Sequence, residues 1–152
     1  MIAIIIIILA IVLDQLTKYW AFVTLNPTGD IGLIKGVLHL SYAENTGAAF
    51  SILQNQRWIF ISITIIAILV LCYLLIAKKI KDKIAVISAA MIIGGGIGNL
   101  IDRIMKGYVI DFIDFRLINF AVFNVADSFV CVGAVIGAIW YLFFYDKNNI
   151  KE

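Results

Sequence analysis

Charge is scarce in this sequence. Only 14% of its 152 residues are acidic or basic, while 63% are hydrophobic and the mean hydropathy is +1.05. A soluble domain of this length could not cover so much apolar surface, so a soluble fold is excluded. Histidine and cysteine are almost missing as well. His39 has no cysteine or histidine at metal-ligand spacing, and Cys72 and Cys131 each lie within an apolar run. Cysteine there acts as a small hydrophobe, so neither a disulfide nor a metal pair is expected. No basic cluster is interleaved with aromatics, which gives no reason to expect nucleic acid as a partner. A serine–histidine pair, a partnered reactive cysteine, a P-loop and an HExxH motif are all lacking. No metal or cofactor is assigned.

What is present is a set of long apolar runs, which predict one membrane-embedded unit over residues 1–152. Four spans are expected, at about 2–22, 58–77, 84–104 and 123–145, each long enough for a bilayer's hydrocarbon. The first run lacks a basic start and a small-x-small cleavage site. Asp14, Gln15, Thr17 and Lys18 follow on the same helix, so it reads as a retained span. The 152-residue length suits one compact bundle.

Between spans two and three lies a short basic turn, KKIKDK, from Lys78 to Lys83. Lysine and arginine split evenly between the two sides, so the whole-chain count chooses no orientation. Lys18, Lys35, Arg57, Arg103, Lys106 and Arg116 oppose Lys78, Lys79, Lys81, Lys83, Lys147 and Lys151. The short turn has no other evident task, so the positive-inside rule puts it, and both termini, in the cytoplasm. Asp14 and Lys18, then Asn99, Asp102 and Arg103, and finally Asp127 all fall near the outer ends of their spans. Nearly every polar intramembrane residue therefore meets at one depth.

The outer segments read as structured. In VLHLSYA, residues Val37, His39, Ser41 and Ala43 alternate with Leu38, Leu40 and Tyr42, a half-buried strand signal. Gly107 to Phe115 is a second candidate. A small sheet outside the hydrocarbon would accommodate both.

Three acids stand out between Val109 and Phe129: Asp111, Asp114 and Asp127. An aspartate at a membrane-helix centre costs roughly 2.5–3.5 kcal/mol and marks a functional site by default. Asp127 lies shallower, and Asn124 shares its helical face. The plainer reading of Asp127 is an acid favoured by a helix's positive end. If residues 109–115 are extended, Asp111 and Asp114 point to opposite faces and only one can meet Asp127. Spacing alone does not choose between them. Asn99, Asp102 and Arg103 make one polar face on span three, and Gly94, Gly95, Gly96 and Gly98 permit close approach by a helix or a substrate. Asp14 and Lys18 suit an intrahelical ion pair that snorkels to the interface. Two close carboxylates would share a proton, and such a dyad can hydrolyse a peptide with water alone.

Five ordered motifs then identify a resemblance: DQLTK (Asp14 to Lys18), ENTGAAF (Glu44 to Phe50), GGGIGNLIDR (Gly94 to Arg103), VIDF (Val109 to Phe112) and FNVADS (Phe123 to Ser128). Together they span nearly the whole chain, which resembles the lipoprotein signal peptidases, the type II signal peptidases of bacterial membranes. The resemblance implies that Asp111 and Asp127 are the catalytic pair and that Asp114 is a bystander. It implies site-supporting roles for Asn45, Asn99, Asp102, Arg103 and Asn124, and a structural or substrate-positioning role for Asp14 and Lys18. The implied fold is an all-α polytopic membrane protein, four transmembrane helices with a small extracytoplasmic β-sheet cradle. The implied reaction removes the signal peptide of a lipid-modified prolipoprotein on the amino side of a diacylglyceryl cysteine, in the bacterial cytoplasmic membrane and near its outer face. Membrane lipid is the other expected partner. A monomer would suffice, because both acids lie in one chain. A proton-coupled transporter or channel subunit relaying through Asp127 and Asp102 is the alternative, but no inverted repeat is visible. A presenilin-type protease would need Asp where Gly96-Ile97-Gly98-Asn99 has Asn99.

Overall fold

A computed structural model of the chain describes residues 1–47 and 53–149. Ala48, Ala49 and Phe50 of the ENTGAAF motif, and Lys151, lie outside the described residues. Helix α1 (Ile2–Thr28) leads into a hairpin of β1 (Ile31–Ile34) and β2 (Leu38–Asn45). Helices α2 (Arg57–Ile76) and α3 (Lys83–Met105) follow, then β3 (Val109–Phe115) and α4 (Val125–Asn149). All four helices are long and apolar enough to cross a membrane. They alternate in direction, so the three-stranded antiparallel sheet, in order β1-β2-β3, sits at the end of the bundle away from the Lys78–Lys83 turn.

The first helix runs six residues beyond its expected end near Phe22. Its extra turns carry Leu25, which with Ala21 is fully buried against Ile110 and Phe112 of β3. Leu40, Tyr42 and Val125 complete this cluster, and Trp20 meets Phe112 edge-on at 6.4 Å. The sheet is thus seated on the end of α1, and that burial, invisible to hydropathy alone, keeps the turns helical. Pro27 stands in the last turn, where it removes a donor, and the helix stops at Gly29 with φ 83°.

A bulge in β2 decides what the sheet presents. Leu40 pairs with Ile113, but Ala43 pairs with Asp111 and Asn45 with Val109, a shift of one residue between Leu40 and Ala43. Strand alternation continued without interruption would put Asn45 on the face of His39 and Asp114. The extra residue moves it to the face of Asp111. β3 is extended, so Asp114 points away from Asp111, toward Ser41 (3.2 Å) and Arg116 (2.7 Å). His39 belongs to the same outer group through Asp30, at 2.9 Å.

Helix α3 packs against the other three. A methyl group on Gly98 would lie 2.5 Å from a carboxylate oxygen of Asp14, and one on Gly95 would collide with the Ala126 carbonyl. Gly95 therefore brings α4 onto α3 at backbone distance, Gly94 does the same for α1, and Gly98 makes room for the Asp14 carboxylate. Gly96 instead faces Thr64 and Ile68 of α2, with room for a methyl group and little more, and borders the cavity. Most of the glycine run thus serves helix packing, while Gly96 borders the cavity.

Candidate active site

Helix α4 begins with a reciprocal cap. The Asp127 N–H donates to the Asn124 side-chain oxygen at 2.9 Å, and the Asn124 N–H donates to Asp127 Oδ2 at 3.2 Å. This is the geometry of a capping box. Asp127 is therefore a helix-terminal acid, as its plainer reading holds, and yet it also opens on a cavity. Its other oxygen, Oδ1, accepts from Asn99 Nδ2 at 2.7 Å.

Asn124 is fully buried and connects the two acids. Its amide nitrogen donates to Asp111 Oδ1 at 2.6 Å, and it lies 3.0 Å from Asn99 Oδ1 and 3.3 Å from the Ile110 carbonyl. Asn45 donates to Asp111 Oδ2 at 2.8 Å, the contact that the β2 bulge makes available. Burial pushes the Asp111 carboxyl up, the negative charge of Asp127 adds to that, and the result is a pKa of about 7. Hydrogen bonds from Asn45 and Asn124 and the charge of Lys18 oppose the rise without cancelling it. Each of the two carboxylates accepts two hydrogen bonds, and the raised pKa of Asp111 lets that acid carry a proton near neutral pH.

Both aspartates line a cavity of about 690 Å³. Asn45, Asn99, Arg103, Thr64 and Ser128 are its other polar lining residues, while Phe60, Ile63, Ala67 and Ile68 of α2 make an apolar wall. Arg103 donates to the Gly47 carbonyl at 3.2 Å and lies 5.1 Å from the Phe60 ring centre. The cavity can thus take an apolar chain and bring a polar bond to two carboxylates.

Asp14, Lys18 and Asp102 are not part of the cavity lining. The expectation that Asp14 and Lys18 snorkel to the interface is corrected by their burial, with 0% and 1% of their surface exposed. Lys18 reaches inward to Asp14 (2.8 Å), Asp102 (3.1 Å) and Asn99 (2.8 Å), because three partners inside the bundle outcompete water. The polar face of α3 accordingly divides: Asn99 and Arg103 reach the cavity, whereas Asp102 turns to Lys18, Lys106 and the Ile110 N–H. Asp102 held in this way lies behind the cavity, linked to Asp127 through Lys18 and Asn99.

Three contributors escaped the sequence reading. Gln15 donates to Asp14 and to the Gly98 carbonyl, Gly47 receives Arg103, and Phe60 lies under its guanidinium. Gln15 and Gly47 lie inside the quoted motifs, but Phe60 is one apolar residue among many and carries no signal.

Comparison with known proteins bears on this arrangement. The family model described as "Signal peptidase (SPase) II" matches residues 6–144. The "Lipoprotein signal peptidase" of Caldanaerobacter subterraneus subsp. tengcongensis is 49% identical over 149 residues, covering 98% of this chain and 99% of that protein. The protein of the same name from Clostridioides difficile is 46% identical over 151 residues, covering 98% of this chain and all of its own, 100%. Two solved structures, each described as a bacterial membrane enzyme, superpose with TM-scores of 0.82 and 0.84 at 30% and 31% identity. They cover 97% and 93% of this chain, and 90% and 93% of their own.

Proposed function

This chain belongs to the signal peptidase II family, and from that premise we propose that it removes signal peptides from bacterial prolipoproteins with Asp111 and Asp127 as its catalytic pair. The observation that carries the pair is their joint opening onto one largely apolar cavity, bridged behind by Asn99 and Asn124. Ionised Asp127 takes a proton from water as that water attacks the scissile carbonyl carbon. Protonated Asp111 donates a hydrogen bond to the carbonyl oxygen as it gains negative charge. The tetrahedral intermediate collapses when the proton held by Asp127 passes to the leaving nitrogen, and the C–N bond breaks. The enzyme then returns to its starting protonation.

The bond cut is the one on the amino side of a diacylglyceryl-modified cysteine. A substrate whose signal helix and lipid both lie in the bilayer presents that bond near the interface, the depth at which the acids sit. The apolar α2 wall faces the dyad across the cavity and suits such a substrate. The basic turn from Lys78 to Lys83 lies at the opposite end of the bundle, and the positive-inside rule supports an outer-facing sheet and site with both termini in the cytoplasm. One chain holds the whole site, so a monomer suffices.

The test is cleavage of one prolipoprotein with and without its diacylglyceryl group, followed by mass spectrometry. The lipidated form is expected to be cut directly before its cysteine, and the unlipidated form at least about a hundredfold more slowly, as lost apolar burial implies. Equal rates, or a cut elsewhere, would overturn the substrate assignment. The pH dependence follows from Asp111. Its proton is required and is lost as pH rises through about 7, so kcat/KM is expected to fall about tenfold per unit well above that point. Initial rates between about pH 5 and 9 read this limb directly. Activity that stays flat across it would mean Asp111 works ionised.

A further inference from the structure

The geometry points to Lys18 as a positioning residue for the peptidase reaction, one that turns the Asn99 amide so that its N–H₂ group faces Asp127. This rests on the Asp111–Asp127 reading and extends it to a side chain outside the cavity.

An amide side chain can be turned either way unless a neighbour forbids it. Lys18 forbids it. An ammonium group can only donate, and Lys18 Nζ lies 2.8 Å from Asn99 Oδ1, so that end of the amide must be the oxygen. The nitrogen end is then committed to Asp127 Oδ1 at 2.7 Å. Asp127 Oδ1 in turn accepts, the role a proton acceptor needs. Lys18 has three donors, and all three are placed: on Asp14, Asp102 and Asn99. Asp14 extends the same device, since its other oxygen accepts the Ala126 N–H at 2.9 Å, one residue before Asp127. Helix α1 therefore holds both the start of α4 and the amide that meets the Asp127 carboxylate, without touching the cavity.

The charges around Asp127 come from three elements: Asp14 and Lys18 from α1, Asp102 and Arg103 from α3, and Asp111 from β3. The part of α2 that lines the cavity contributes no titratable side chain. Removing Lys18 alone would strand buried Asp14, while Asp102 keeps Lys106 at 3.0 Å. A merely structural lysine would be replaceable by removing that stranded charge. A lysine that orients Asn99 would not.

The experiment compares Lys18→Met with Lys18→Met/Asp14→Asn, in the full-length enzyme, by thermal unfolding and by kinetics on lipidated prolipoprotein. The double variant keeps net charge and leaves an acceptor for the Ala126 N–H. It is expected to unfold near the wild-type temperature, yet to lose about ten- to a hundredfold in kcat with KM nearly unchanged. Placed on top of Asn99→Ala, the same two substitutions are expected to cost less than about threefold more, since the amide they act through is gone. Wild-type kcat in the double variant, or a full second loss on top of Asn99→Ala, would overturn the role of Lys18. That failure is separable from failure of the dyad, which would show instead as retained activity in Asp127→Asn.

Discussion

Asp127→Asn and Asp111→Asn are each expected to lower kcat for prolipoprotein cleavage by about a hundred- to ten-thousandfold while the folded protein persists. The size follows from the loss of a proton acceptor at Asp127, which an amide cannot replace, and of an acidic O–H donor at Asp111, which an amide N–H replaces only weakly. The fold survives because each substitution leaves a side chain of the same shape and lightens the acidic charge, at Asp111 a buried one. The amide introduced by Asp127→Asn has one oxygen for two donors, the Asn124 N–H and the Asn99 amide, so one hydrogen bond is lost, about 1 kcal/mol. Asp114→Asn serves as the comparison. Asp114 points away from the cavity to Arg116 and Ser41, in an exposed ion pair of small worth, so the variant is expected to keep its rate within about twofold. Thermal unfolding with cleavage measured by mass spectrometry separates the two effects. A dead Asp114→Asn beside an active Asp111→Asn would reassign the pair.

Asn124→Ala is expected to damage both stability and catalysis. Asn124 is completely buried, caps α4 and bridges Asp111, Asn99 and the Ile110 carbonyl. Alanine removes the cap, worth about 1 kcal/mol, and strands buried acceptors at about 1–3 kcal/mol more. The activity is expected to fall by more than about a hundredfold, because Asp111 loses the donor that holds it toward Asp127. Asn124→Ser separates the two losses. Serine can restore the cap but cannot reach Asp111, so the unfolding temperature is expected to recover while kcat stays low. Full recovery of kcat by serine would reduce Asn124 to a capping residue.

Much of this could be read before any coordinates. The four spans follow from apolar runs, because a hydrocarbon of fixed thickness demands about 20 uncharged residues and little else. Span one ran past Phe22 because contact with β3, a segment distant in sequence, holds its last turns. The convergence of polar residues at one depth was also legible, since every span has a countable length. Which side of the membrane that depth faces rests on the lysines of one turn.

The sequence by itself determined a four-span membrane protein with an acidic, amide-rich site at one end, because hydropathy and helical spacing are local properties. The tertiary structure alone decided which residue serves which. A one-residue bulge in β2 put Asn45 beside Asp111, and nothing in the alternation of β2 announces a shift that arises only when β2 meets β3. Lys18 turned inward because Asp14, Asp102 and Asn99 from two packed helices together replace the water it gives up. On an isolated helix the same lysine would reach for the interface. The division of Asn99, Asp102 and Arg103 between cavity and core has the same cause: a polar face is a property of one helix, but its partners belong to the others.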